Sequence, residues 1–442
     1  MIRLSRTPSS ARTSSPARTR SSARILTSGW LAAVGAAALF GVLMSAPTAH
    51  AVPLTCGQTV TTSVVLEADL LNCPGDGLVV AAHGITIDLA GHTVDGIGLG
   101  VGIRNNGFDN TTVTGGAGTP GVVQEFDHGV LLNPGTSGTL VEGLTLQLNE
   151  IAGVELNNAD VDNRVQDNLI DQQAQRGVTL IGGSSGNVIA DNTITFNQGE
   201  GVFVENSASN RLEGNLIADS GDAGLVLEGA SGNTLLTNTV TNNSDGAIVL
   251  QLASNNNLVQ GNTSSLNSDA GLTVSESTGN HLLSNTLQNS GDSGILLQDA
   301  HGSTITGNDV SGNPGGIELS YSDNNLIRSN IANYGNGDAI TLEGSLGNTL
   351  ELNQANNNNG RGIYISGEAA SGTGNRLIGN TANANSGDGI SVSKAVHTLQ
   401  GNTARDNNAW GIYADSGNLD AGGNHASGNG ESAQCTGVVC TP

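Results

Sequence analysis

The sequence predicts an all-β chain wound as a single-stranded right-handed parallel β-helix, a solenoid of about fifteen coils with ~23 residues in each. Three observations predict it. A repeat of that period runs through most of the chain, apolar residues alternate over stretches only long enough for brief strands, and asparagine and glycine recur at fixed places between them.

The repeat reads Asn-x-apolar-x-x-Asn, then a turn, then Gly-apolar-x-apolar. Its second asparagine falls at Asn168, Asn192, Asn215, Asn238, Asn262, Asn285, Asn308, Asn330, Asn353, Asn380 and Asn402. Nine of the ten spacings are 22 to 24 residues, and the tenth, from Asn353 to Asn380, is 27. Five residues earlier the position is again Asn in nine of eleven units, the exceptions being Ser303 and His397. Weaker copies, such as Gly129-Val130-Leu131-Leu132 and Gly411-Ile412-Tyr413, extend the pattern toward both ends.

Within a unit the apolar residues alternate over two to four positions, as in Gly201-Val202-Phe203-Val204, which is the period of a strand. Strands this short gain stability only by pairing with their equivalents in the next unit. That stacking gives parallel sheets along a solenoid axis around an interior of Val, Ile and Leu. A leucine-rich repeat would need a longer helical or looped half, and a propeller about 40 residues per blade. The asparagines suit the corners, because Asn tolerates left-handed backbone and its amide can bond to the amide stacked above it. A structural role is therefore expected of them, in preference to a role as sugar ligands.

Residues 1–51 read as a signal peptide: six arginines and no acid precede an apolar stretch from Trp30 to Ser45, followed by Ala49-His50-Ala51. Cleavage is expected after Ala51 by the general secretory route, since no paired arginines occur there. The product would be secreted or periplasmic, with no membrane span after cleavage. Residues 52–77 are expected to form an N-terminal cap, 78–430 the β-helix and 431–442 a C-terminal tail. The four cysteines fall as two local pairs, Cys56 with Cys73 and Cys435 with Cys440, which suits disulfides stapling the two ends in an oxidising compartment.

Past Ala51 the chain holds eight arginines and Lys394 against 39 acidic residues, a formal charge of −30. Such a surface repels nucleic acid and anionic lipid, and repels polyuronates unless divalent cations mediate the contact.

On these residues the chain resembles the pectate-lyase-like β-helices and, within them, the NosD-type group found in carbohydrate-binding proteins and sugar hydrolases. The resemblance spans roughly residues 78 to 430. Cys56-Gly57-Gln58-Thr59, then Asp69 to Gly77, then Ile85-Thr86-Ile87-Asp88-Leu89-Ala90-Gly91-His92-Thr93-Val94 looks like the opening module of exported members. Gly121-Val122-Val123-Gln124-Glu125-Phe126-Asp127-His128-Gly129-Val130 is similar to the segment that follows it in them. These motifs imply the fold more than an activity, since one fold hosts many chemistries.

The catalytic patterns of that resemblance are missing. The spaced Asp-Asp pairs, His-Gly and Arg-x-Lys of pectin hydrolases are not found, nine bases leave little for a lyase, and Asp127-His128 only partly echoes the Asp-Pro-His-Asp of alginate epimerases. Asp127 and His128 are expected to shape a turn. The copper role that the NosD name implies finds no support: both methionines, Met1 and Met44, lie in the expected signal peptide. His83 and His92 fall in successive early coils and are expected to face solvent.

Aligning the strand motifs gives two outward rows on one long sheet. The first includes Glu155, Thr179, Phe203, Val226, Glu318, Thr341, Tyr364, Ser391 and Tyr413, and the second includes Glu205, Glu228 and Asp415. Glu205 and Glu228 are expected to stack on adjacent coils, with Glu200 and Asp222 nearby and Phe203 beside them. Paired carboxylates about 5 Å apart suit a retaining glycosidase, and the four together could hold Ca²⁺. Phe203, Tyr364 and Tyr413, with Trp410, suit sugar rings, whose apolar faces stack on π-systems.

The expected function is an exported polysaccharide-binding protein that uses its strand face and requires no cofactor, with Ca²⁺ the one candidate ion. A polysaccharide-modifying enzyme using Glu205 and Glu228 is a second reading, and a rigid surface or spacer protein without a small ligand a third.

Overall fold

The structure is a computed structural model that describes residues 53–159, 161–366, 374–394 and 396–442. The expected signal peptide, and residues 367–373 of the insertion that makes the 27-residue unit, lie outside the described residues. The described chain winds as a right-handed parallel β-helix of about 16 turns. Each turn contributes to three walls, with one short strand in each wall through most of the coils. Among the described residues the long sheet has 17 strands, the second 16, and the third nine with a further three near the C-terminus. Every strand pairs in parallel with its equivalent one coil away: Val202–Glu205 with Leu225–Glu228, Arg211–Glu213 with Thr234–Leu236, Leu216–Ala218 with Thr239–Thr241.

The expected solenoid of about fifteen coils is present. Within residues 52–77, Gln58–Val60 and Val64–Val65 pair with Leu78–Val80 and Thr86–Asp88 of the next coil. Both expected disulfides form, with Cα atoms 5.3 Å apart for Cys56–Cys73 and 6.1 Å for Cys435–Cys440, inside the ordinary range. Toward the C-terminus the third wall thins to single-residue bridges from Asp309 to Thr403. Its inward side chains there are Ala332, Ala355 and Ala382, where earlier coils have Ile194, Ile217 and Val240.

The asparagines form continuous buried ladders. Asn215 donates through Nδ2 to Asn238 Oδ1 at 2.9 Å, and Asn238 repeats the bond to Asn262 at 3.0 Å. Each Oδ1 also accepts the backbone N–H of the asparagine one coil earlier. The amide stacking expected from the sequence is therefore present, but the left-handed backbone falls elsewhere. It belongs to the residue before each Asn: Asp167, Asp191, Thr237, Ser284, Ser329 and Leu352 have φ between 50° and 57°. That preceding residue makes the turn while the Asn points inward and satisfies the backbone the turn leaves open.

His397 occupies a ladder position and is 2% exposed, with Nδ1 accepting the Asn375 N–H at 3.0 Å. Burial holds its pKa below the ordinary value, so the folded state keeps a neutral ring whose Nδ1 is an acceptor. The unfolded chain binds the proton more readily. The stability this contact gives is complete above the unfolded pKa of about 6.5 and falls as pH drops toward the lowered folded value. His397→Asn, which restores the residue found elsewhere on the ladder, is expected to flatten this acid sensitivity. Melting temperatures of parent and variant between about pH 7 and pH 5 check it, and equal slopes would contradict it.

Candidate functional site: the outward face of the long sheet

Strands of the long sheet present alternate residues to the core and to the outside. Between Val202–Glu205 and Leu225–Glu228 the register sets Phe203 opposite Val226 and Glu205 opposite Glu228. The expected pairing of these two carboxylates on adjacent coils is thus what the backbone provides. Both side chains are half-buried. Glu228 Oε2 accepts from Gln251 Nε2 at 3.3 Å, and Glu205 Oε1 from Asn206 Nδ2 at 3.4 Å.

Glu200 and Asp222 do not join them. Glu200 lies in the turn before the strand Val202–Glu205, whose last residue is Glu205. Arg176 donates through Nε to Glu200 at 2.8 Å, and Asp222 is exposed and accepts the N–H of Ala223 at 3.0 Å. Among the described residues no group of three or more His, Cys, Asp and Glu side chains could hold a metal ion. The expected four-carboxylate Ca²⁺ site is therefore not assembled.

Phe203 also departs from expectation. It is 6% exposed and belongs to a small apolar cluster with Ala223 and Val226 on the outer face, apart from the main core. The Arg176 guanidinium lies 3.7 Å from its ring centroid, fixed there by Glu200. Its ring is covered by the protein and not offered to a sugar.

The same carboxylate–arginine–aromatic device recurs further along. Arg361 donates to Asp338 at 2.7 and 3.1 Å and lies 3.2 Å over the ring of half-buried Tyr364. Two coils on, through Ser391, comes Tyr413, whose hydroxyl donates to Asp415 at 3.1 Å. That contact raises the phenol's pKa. Trp410 sits 6.2 Å from the Tyr413 ring at 59°, with its backbone N–H donating to Asp388. Tyr364, Trp410 and Tyr413 therefore do share one face, as the sequence predicts.

Sequence reasoning missed a second constellation near the N-terminal end of the face. Arg104 is bidentate to Asp76 at 2.7 and 2.8 Å, which holds the Asp76 carboxyl below the usual carboxylate range. Asp127 accepts the Gly100 N–H at 2.9 Å, and His128 Nε2 meets Glu155 Oε2 at 3.1 Å. Asp127 does shape its turn, but His128 faces the sheet's outer surface with Glu155. Extending the outward row two coils toward the N-terminus would have revealed Arg104, which stands opposite Leu131, the neighbour of Glu155. His83 and His92 are not brought together; each contacts its own carboxylate, Asp109 and Asp69.

The fold and this face define a parallel β-solenoid with a polar and aromatic outer strip. The chain belongs to the family described as "Right handed beta helix region", whose model matches residues 180–317 and 281–429. No protein of curated function matches the sequence. Among solved structures it is similar to the Azotobacter vinelandii mannuronan C-5 epimerase AlgE4 A-module, at 12% identity and a TM-score of 0.44, covering 87% of this chain and 91% of that one. The AlgE6 A-module from the same organism matches at 14% and 0.42, over 74% and 91%. The Dettilon tailspike protein matches at 14% and 0.44, over 80% of this chain and 61% of the tailspike. No helix among the described residues is long and apolar enough to cross a membrane.

Proposed function

We propose that the chain is an exported protein that binds neutral polysaccharide along the outward face of its long sheet. The observation that carries this reading is the placement of Tyr364 and Tyr413 two coils apart on one row, with Trp410 against the second. Two strand spacings are about 10 Å, a repeat suited to every second sugar of a linear glycan lying along the axis. The rings of Tyr413 and Trp410 would take the apolar faces of the sugars, with Tyr364, one face of which lies under Arg361, beside them, and Asp388 and Asp415 would take their hydroxyl groups. The formal charge of −30 beyond Ala51 argues for a neutral ligand over an anionic one. Export is supported by the arginine-rich start, the apolar stretch and the two disulfides.

The test is a glycan array with the chain from Val52 onward. Neutral linear glycans are expected to be retained, with retention weakened about tenfold by Trp410→Ala or Tyr413→Ala. Retention untouched by both substitutions would remove the aromatic row from the account.

A second reading, cleavage of the bound glycan, is favoured by the register that sets Glu205 opposite Glu228. A retaining mechanism needs two carboxyl groups about 5 Å apart, which adjacent strands supply. Reducing-end assays on any retained glycan check it: cleavage by the parent that Glu228→Gln abolishes supports the reading, and absence of product from the parent ends it.

A further inference from the structure

A different line of side chains runs along the corner where the third wall turns into the long sheet. Gln147, Asp171 and Thr195 are in register on successive coils, so the residues after them, Leu148, Gln172 and Phe196, stack on that corner. Further along the same ladder stand Leu266 and Tyr334. Leu148, Phe196, Leu266 and Tyr334 are 43%, 58%, 63% and 68% exposed. All four have left-handed backbone, with φ of 55°, 53°, 60° and 61°. Bulky side chains are disfavoured in that conformation, and other coils fill the place with Asp219, Asn242 and Asn289, which tolerate it. Here large apolar groups are held partly in solvent on costly backbone.

At the N-terminal end the corner is concave. Ile97 and Gly98 stand beside it, and together with Leu148, Glu150, Gln172 and Gln198 they line an open groove of about 370 Å³. Ile97 is itself 51% exposed. An apolar patch inside a ring of amides and carboxylates matches a pyranose, whose C–H face packs on Leu or Phe while its hydroxyls bond to Gln and Glu. Glu125 and Glu150 on the rim disfavour an anionic sugar.

We propose that this corner is a second saccharide contact line, separate from the strand face, with the groove seating one neutral sugar of a linear chain that continues past Phe196. The proposal rests on the polysaccharide reading above but on none of its residues. Leu148 and Phe196 are two coils apart, about 10 Å, the same repeat as Tyr364 and Tyr413, so one glycan class fits both lines.

Binding of hexamers of β-linked glucose, α-linked glucose and β-linked N-acetylglucosamine, with an oligogalacturonate as the anionic comparison, is measured by calorimetry. The proteins are the parent, Phe196→Ser, Gln198→Ala and Tyr413→Ala, each with its melting curve. A neutral hexamer is expected to bind the parent, and Phe196→Ser and Gln198→Ala to weaken it about tenfold without lowering the melting temperature. Loss in these two alone supports the corner and removes the strand face. Loss in all three supports both lines. Loss confined to Tyr413→Ala overturns the corner and leaves the strand-face reading standing. A bound hexamer that no variant weakens, binding of the oligogalacturonate alone, or no binding by the parent overturns the corner line.

Discussion

Replacing Ile317 with aspartate is expected to abolish the cooperative melting transition or lower it drastically, whereas Glu318→Gln, one residue on, leaves the protein folded. Ile317 is 0% exposed and stacks between Ile295 and Ile340 in the interior row. Nothing there could pair with a carboxylate, and an unpartnered buried charge belongs to the class of substitutions that cost more than about 4 kcal/mol. An outward position by itself implies a near-neutral effect of removing the Glu318 side chain, and its surroundings add a sign. Glu318 is half-buried, and burial, reinforced by Asp292 and Asp338, raises its carboxyl pKa above the usual value.

A carboxyl with a folded pKa above its unfolded one destabilises the folded state once it ionises. The penalty is complete above the folded value and vanishes as pH falls below the unfolded value of about 4.3. Glu318→Gln should therefore raise the melting temperature slightly at pH 7 and leave it unchanged at about pH 3. Thermal melts of the two variants at both pH values check this. Equal destabilisation by both at neutral pH would show that the inward and outward assignment is wrong.

The solenoid was legible because its determinants are periodic. Asn168 to Asn402 mark the coil length, and the alternation in Gly201-Val202-Phe203-Val204 marks which residues face the core. Those two signals suffice for parallel register, and the pairing of Glu205 with Glu228 follows from them. Side-chain reach does not follow. Register alone could not show that Arg176 would lie over Phe203, or that Glu200 would bind Arg176 and not the other carboxylates, because both depend on long flexible side chains crossing between coils. A third amide ladder, with Gln173, Asn197, Asn243 and Asn267, escaped notice because its residue type varies. Ser220 and Ser290 interrupt it, and their hydroxyls are buried without a hydrogen-bond partner. The corner ladder was hidden for the opposite reason: Leu148 and Phe196 break the rule that left-handed positions hold Asn, Asp or Gly, and a pattern search passes over exceptions.

Asn238→Ala is expected to destabilise the protein by about 3–5 kcal/mol, more than most single substitutions. Asn238 is 0% exposed. Its Nδ2 donates to the Leu212 carbonyl at 2.9 Å and to Asn262 Oδ1 at 3.0 Å. Its Oδ1 accepts the Asn215 backbone N–H at 3.1 Å and the Asn215 Nδ2 at 2.9 Å. Alanine removes all four bonds and leaves the Asn215 N–H facing a dry interior, where each orphaned group costs about 1–3 kcal/mol. Asn238→Asp separates the two halves of the interaction, since it keeps an acceptor for Asn215 but loses the donor and sets a charge against the Leu212 carbonyl. It should be as damaging at neutral pH and recover partly as the carboxyl is protonated. Asn289→Gly, at an exposed left-handed position, should cost under about 0.5 kcal/mol, because glycine adopts that backbone freely. Urea unfolding midpoints rank the three, and hydrogen exchange at Asn215 reports the ladder directly: its N–H should lose protection in Asn238→Ala before its neighbours do. Equal midpoints for Asn238→Ala and Asn289→Gly would mean that the buried amides do not hold the coils together.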